Sequence, residues 1–69
     1  MTVVVVNGQS VEIEGGASIG DVLRRIDVSA EAAGIAVARN GEVVPRSTWA
    51  TAAIAPGDRI EVLHAVQGG

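Results

Sequence analysis

Sixty-nine residues, 48% of them hydrophobic, with a net charge of −3, describe one small folded domain that is too acidic for a nucleic-acid binder. Cysteine is absent and there is one histidine, which excludes a disulfide framework, thiol chemistry and a histidine metal cluster. No apolar run approaches membrane-spanning length, and MTVVVVNG has neither the basic region nor the cleavage site of a secretion signal, so a cytoplasmic location without a membrane partner is expected.

Val3 to Val6 is a β-branched run and reads as a strand. Asn7-Gly8 follows, the strongest short hairpin signal, because both turn residues need positive φ. Gln9 to Glu14 alternates and makes the returning strand. A two-residue turn sets Val6 opposite Gln9, Val4 opposite Val11 and Thr2 opposite Ile13. Facing residues share a side of the sheet. Val4, Val6, Val11 and Ile13 are therefore expected in the core, and Val3 and Val5 away from it.

Gly15-Gly16 ends the hairpin. Ser18 is a helix N-cap with Asp21 three residues on, near the positive end of the macrodipole. Ile19, Val22, Leu23 and Ile26 recur at helical spacing, which predicts a helix over 18–27. Residues 28 to 34 read as a loop. Ile35 to Arg39 is a third strand, and Asn40-Gly41 repeats the hairpin signal. Glu42-Val43-Val44 is a short edge piece that runs into Pro45. Ser47 is expected to cap a single turn carrying Trp49, which lies as a lid over the core edge. Arg46 is left to a carboxylate of this domain or of a partner. Pro56-Gly57-Asp58 is a turn, and Arg59 to Val66 is the last strand.

This order fits an α+β fold, a small mixed sheet with one helix packed on one face. With the last strand in mid-sheet, parallel to the first, it is the β-grasp or ubiquitin-like arrangement. The expected division is a β-grasp domain over 1–66 and a flexible tail over 67–69. Ile60 and Val62 belong to the core. Leu63 and Ala65 face outward on the same side as Val3 and Val5, and these four are expected to form an apolar docking patch for a partner.

Chemistry is sparse elsewhere. His64 has no visible acidic partner or nucleophile and reads as a strand-end residue. The glycines of the turns sit outside any strand–loop–helix phosphate context with lysine. No paired-carboxylate site or nucleophilic triad can be assembled, so no catalytic residue and no bound cofactor or metal is expected. The terminal Gly68-Gly69 stands apart. It presents a carboxylate with nothing bulky beside it, fit to thread a narrow cleft. An ATP-using partner could convert it to an acyl adenylate, and a sulfur nucleophile could then leave a thiocarboxylate on Gly69.

VPRSTWA (Val44 to Ala50), PGDRIEV (Pro56 to Val62) and the final Gly-Gly together make the chain similar to the ThiS family, small sulfur carriers of thiamine biosynthesis. The resemblance covers nearly the whole chain. The tail alone is shared with ubiquitin-like proteins and the molybdopterin-synthase small subunit, and the Val-Pro-Arg-x-x-Trp stretch favours ThiS. The resemblance implies a carrier, not an enzyme. An adenylyltransferase related to ubiquitin activators would use ATP on Gly69. A sulfurtransferase or cysteine desulfurase would supply sulfur, and thiazole synthase would receive it. Sulfur donation to molybdopterin or cysteine synthesis, or ubiquitin-like protein modification, are the alternatives. The absence of lysine argues against self-linked chains.

Overall fold

A computed structural model of the chain describes residues 1–64. Five strands and one helix are present among them: β1 Thr2–Val6, β2 Gln9–Ile13, α1 Ile19–Arg25, β3 Ile35–Arg39, β4 Glu42–Val43 and β5 Arg59–His64. The sheet order is β2-β1-β5-β3-β4. β1 runs parallel to β5, and the other pairings are antiparallel. The last strand therefore sits at the centre of a β-grasp sheet. The expected end of β5 at Val66 and the division at residue 67 lie outside the described residues.

The hairpin register is as the two-residue turn dictates, with Thr2 opposite Ile13, Val4 opposite Val11 and Val6 opposite Gln9. Asn7 and Gly8 have φ of 49° and 84°, the left-handed pair that such a turn requires. Val4, Val6 and Ile13 are buried, Val11 is half-buried, and Val3 is exposed. The sheet thus turns one face to α1 and leaves the other open.

Helix α1 is shorter than its periodicity suggests. Ser18 caps it through a reciprocal capping box with Asp21. Its C-cap is Ile26, whose N–H still bonds back into the last turn, and Asp27 then takes φ of 62° and ends the helix. Ile19, Val22 and Leu23 are fully buried against Val4, Val37 and Ile60. Truncating Leu23 to Ala in this core costs about 2–5 kcal/mol. Ile26 lies half-buried at its margin.

Residues 44–55 cross beneath the helix start. Ile19 N–H donates to the Ala52 carbonyl at 2.9 Å, and Ile54 N–H to the Ala17 carbonyl at 2.9 Å. Ile54 and Trp49 enter the core through this crossing. The single turn is a 3-10 helix over Arg46–Thr48, and its N-cap is Pro45, not Ser47. Pro45 fixes its own φ at −58°, and its carbonyl accepts from the Thr48 N–H at 2.9 Å and from the Thr48 hydroxyl at 2.8 Å. The turn is therefore set from inside, and Ser47 is left exposed.

Candidate functional site: the last strand and its flanks

Strand β5 carries the chain toward Gly69, so whatever fixes β5 fixes the base of the terminal segment. Its start is held by charge. Asp58 is buried at 7% exposure. Its carboxylate accepts from Ala55 N–H at 2.8 Å and Asn40 Nδ2 at 3.1 Å, and it pairs with Arg39 Nε at 2.9 Å. Burial by itself would push this carboxyl up. The Ala55 N–H, the Asn40 amide and the Arg39 guanidinium outweigh burial and hold it below the ordinary aspartate value. Asn40 also accepts from the Arg59 N–H at 2.9 Å, so one carboxamide ties the second Asn-Gly turn to the first residue of β5.

Its far end is held differently. β1 stops pairing at Val6 with Ile60. The Asn7 N–H still donates to the Ile60 carbonyl at 2.9 Å, and the chain then turns away. The Asn7 side chain continues the ladder. Its Oδ1 accepts from Val62 N–H at 2.9 Å and its Nδ2 donates to the Val62 carbonyl at 3.3 Å. These are the acceptor and the donor that a longer β1 would have offered. On the other flank β3 pairs with β5 to the end, Ala36 with Leu63 and Ile35 with His64.

Of the four expected docking residues, Val3, Val5 and Leu63 are described and lie on the open sheet face, with Leu63 apart from the other two. Val3 is 44% exposed and Val5 half-buried; both lie on β1, with Val5 beside Arg59. Leu63, 61% exposed, lies about 10 Å beyond the Val6–Ile60 pair, at ~3.3 Å per residue. Arg59 and Glu61 share its face and separate it from Val5. The reason is register: β1 ends before β5 reaches Leu63. Its neighbour across the sheet is Ala36, and next along β3 is Ala38, opposite the exposed Val43. The apolar stripe is thus Leu63, Ala36, Ala38 and Val43. Sequence reading missed the last three because it paired β5 with β1 alone. Ala65, Gly68 and Gly69 lie outside the described residues.

The Val44–Ala50 motif is a structural staple. Trp49 is buried, and its Nε1 donates to the Val44 carbonyl at 2.9 Å. The Arg46 guanidinium lies 4.5 Å from the Trp49 ring centroid. Among the described residues Arg46 pairs with no carboxylate. It donates to the carbonyls of Ala30, Ala32 and Ile35, and so binds the 28–34 loop to the 3-10 turn. A shallow groove between α1 and this turn is lined by Ser18, Asp21, Arg24, Glu31, Arg46 and Trp49. Both of its cations are engaged, Arg46 on those carbonyls and Arg24 on Asp21. The Ser18 N–H, with Arg24 adding to it, holds the Asp21 carboxyl below its ordinary range. His64 is exposed at the strand end. Among the described residues no three His, Cys, Asp or Glu side chains gather as a metal site, and no helix is long and apolar enough to cross a membrane.

The model of the ThiS family matches residues 4–69. The chain belongs to the ThiS family. It is 32% identical over 63 residues to the sulfur carrier protein ThiS of Escherichia coli K12, covering 91% of this chain and 92% of that one. Among solved structures it is similar to the thiamine biosynthesis protein ThiS of Geobacter metallireducens. The crystal structure has a TM-score of 0.78 at 28% identity, covering 99% of this chain and all of that one. SAMP1 of Haloferax volcanii shares the fold, with a TM-score of 0.67 at 22% identity over 99% of this chain and 98% of that chain. The ThiS motif residues Pro45, Arg46 and Trp49 have a physical reason in this structure: together they close the turn that carries Trp49 into the core.

Proposed function

We propose that this chain is a sulfur carrier of thiamine biosynthesis, acting in the cytoplasm as a substrate of partner enzymes rather than as a catalyst. The observation that carries this reading is the ThiS-family match running through Gly69. In the proposed cycle the Gly69 carboxylate attacks the α-phosphorus of ATP on a ubiquitin-activating-like adenylyltransferase. An acyl adenylate forms and pyrophosphate leaves. A sulfurtransferase or cysteine desulfurase presents sulfur as a persulfide, whose terminal sulfur adds to the acyl carbon, expels AMP and leaves an acyl disulfide. A second thiol then attacks the donor enzyme's sulfur, forming a disulfide with it and releasing a thiocarboxylate on Gly69, which thiazole synthase consumes. ATP is bound by the partner, and the carrier supplies only the acyl group.

The fold supports this division of labour. A rigid central strand leads toward the reacting terminus, while the open face with Leu63 offers an apolar surface for docking. Small residues at 68 and 69 let a partner's cleft close on the backbone. Mass spectrometry after incubation with the adenylyltransferase, ATP and a sulfur source tests the reading. The chain gains the mass difference of sulfur for oxygen, localised to Gly69, and a chain lacking Gly69 gains nothing. Sulfur mapped elsewhere, or a deletion that still carries it, overturns the proposal. Gly68→Ala binds its partner nearly as well but reacts about 10²-fold more slowly, because a Cβ beside the reacting centre disturbs placement.

A further inference from the structure

The Asn7 carboxamide sits where β1 has ended and β5 has not. It bonds both the N–H and the carbonyl of Val62, at 2.9 Å and 3.3 Å. From the β1 flank, no backbone pair holds β5 after Ile60. A hairpin turn needs nothing of this side chain. The φ of 49° suits asparagine in this turn, but no turn requires its amide to reach across to Val62.

We propose that Asn7 is a positioning residue for the chemistry at the C-terminus: its carboxamide fixes the far end of β5, the strand from which the chain continues toward Gly69. This rests on the carrier reading above. The two bonds make Val62 the last residue of β5 held from both flanks. On the described residues beyond it, only β3 acts, through Ala36 and Ile35. Without the amide, β5 pivots on its β3 edge. An error in angle at Val62 shifts Leu63 and His64, from which the chain continues toward Gly69. The reacting carboxylate must reach a fixed point in a partner's site, and a misplacement of about 1 Å there can cost 10²-fold in rate. Of the docking stripe only Leu63 adjoins Val62, and it stays paired with Ala36 on β3, so affinity changes less than rate.

The test uses Asn7→Gly, which keeps the turn and removes the amide, and Asn7→Asp, which keeps the acceptor for Val62 N–H and loses the donor. Amide hydrogen exchange is measured along β5, with Val4 and Val37 as reporters of the intact fold. Pyrophosphate release is measured with the host's ubiquitin-activating-like adenylyltransferase and ATP, the carrier being the varied substrate. Asn7→Gly should speed exchange at Val62 about tenfold or more. It should lower kcat about 10- to 100-fold with KM unchanged within about twofold. Asn7→Asp should restore protection at Val62 N–H and part of the rate. Unchanged exchange at Val62 overturns the proposal. So does faster exchange with an unchanged kcat, or a loss that falls in KM. A wild-type chain inert to activation overturns the carrier reading and the positioning role with it, while the exchange arm still decides whether Asn7 holds the strand end.

Discussion

Asn7-Gly8 and Asn40-Gly41 are the same dipeptide in the same left-handed backbone, and they stand on opposite flanks of β5. Their side chains differ in use. Asn40 joins a buried ionic cluster with Asp58 and Arg39 and grips the first residue of the strand. Asn7 works alone, with neutral bonds, near the last. The start of β5 is locked by several contacts that meet at the buried Asp58 carboxylate. The far end is held by one side chain on one flank and by β3 on the other. Identical local sequence thus serves a stable anchor at one end and a lightly held exit at the other, because what lies beyond each turn differs.

The largest effect should come from the locked end. Asp58→Ala strips the Ala55 N–H and Arg39 of their acceptor. Breaking a buried pair costs about 3–5 kcal/mol, and the partial exposure of Arg39 puts this case near the lower figure. Urea unfolding followed by Trp49 fluorescence reads it. Asn7→Gly should lose only about 1 kcal/mol in the same assay, the worth of neutral hydrogen bonds. Equal losses would erase the asymmetry.

Leu63→Asp should leave stability nearly unchanged, since the side chain is 61% exposed, yet weaken adenylyltransferase binding by roughly 1.5–3 kcal/mol, the transfer energy of a buried leucine. Val43→Asp should act in the same direction, because Val43 belongs to the same stripe. Val3→Asp should not, because Arg59 and Glu61 intervene. Titration calorimetry of the three variants checks this. A Val3 effect equal to that of Leu63 would mean that one partner covers the whole face.

A smaller difference should appear with pH. The folded Asp58 carboxyl titrates below its ordinary 3.8, so its contribution is fully present above that value and is lost as pH falls through the lower folded pKa. Asp21 is shifted in the same direction and contributes on the same side. The urea midpoint of Asp58→Asn, followed from neutral pH to below 3.8, should therefore fall less steeply than that of the wild type. Parallel curves would show that Asp58 gains nothing from its partners.

Local chemistry was legible in the sequence wherever the structure is local. The Asn7-Gly8 turn dictated the hairpin register, and Ser18 with Asp21 announced the helix start. What stayed hidden depends on pairings across long stretches of chain. Nothing near Leu63 reveals that β1 stops three positions short of it, so Val3 and Val5 were grouped with Leu63 although Arg59 and Glu61 lie between them. Arg46 carries a charge and invited a carboxylate, but the fold brings it the free carbonyls of the 28–34 loop instead. The Asn7 amide and buried Asp58 escaped notice because each also suits a plain turn, and turn chemistry was a sufficient reason for it to be there.

The central place of β5 also bears on how the protein assembles. β1 and β3 are not neighbours in the sheet; each pairs with β5, the last strand in the chain. The β1–β2 hairpin and the β3–β4 hairpin can form early, but no strand pairing joins them until β5 arrives. An isolated two-stranded hairpin is marginal in water, so both halves wait. Closure then demands contacts of long sequence separation, such as Val5 with Arg59, and such contacts slow folding. A nascent chain of this design has no complete sheet until β5 has emerged. On the proposed carrier reading, a chain cut short before β5 would lack both the reacting glycine and the sheet that partners would bind.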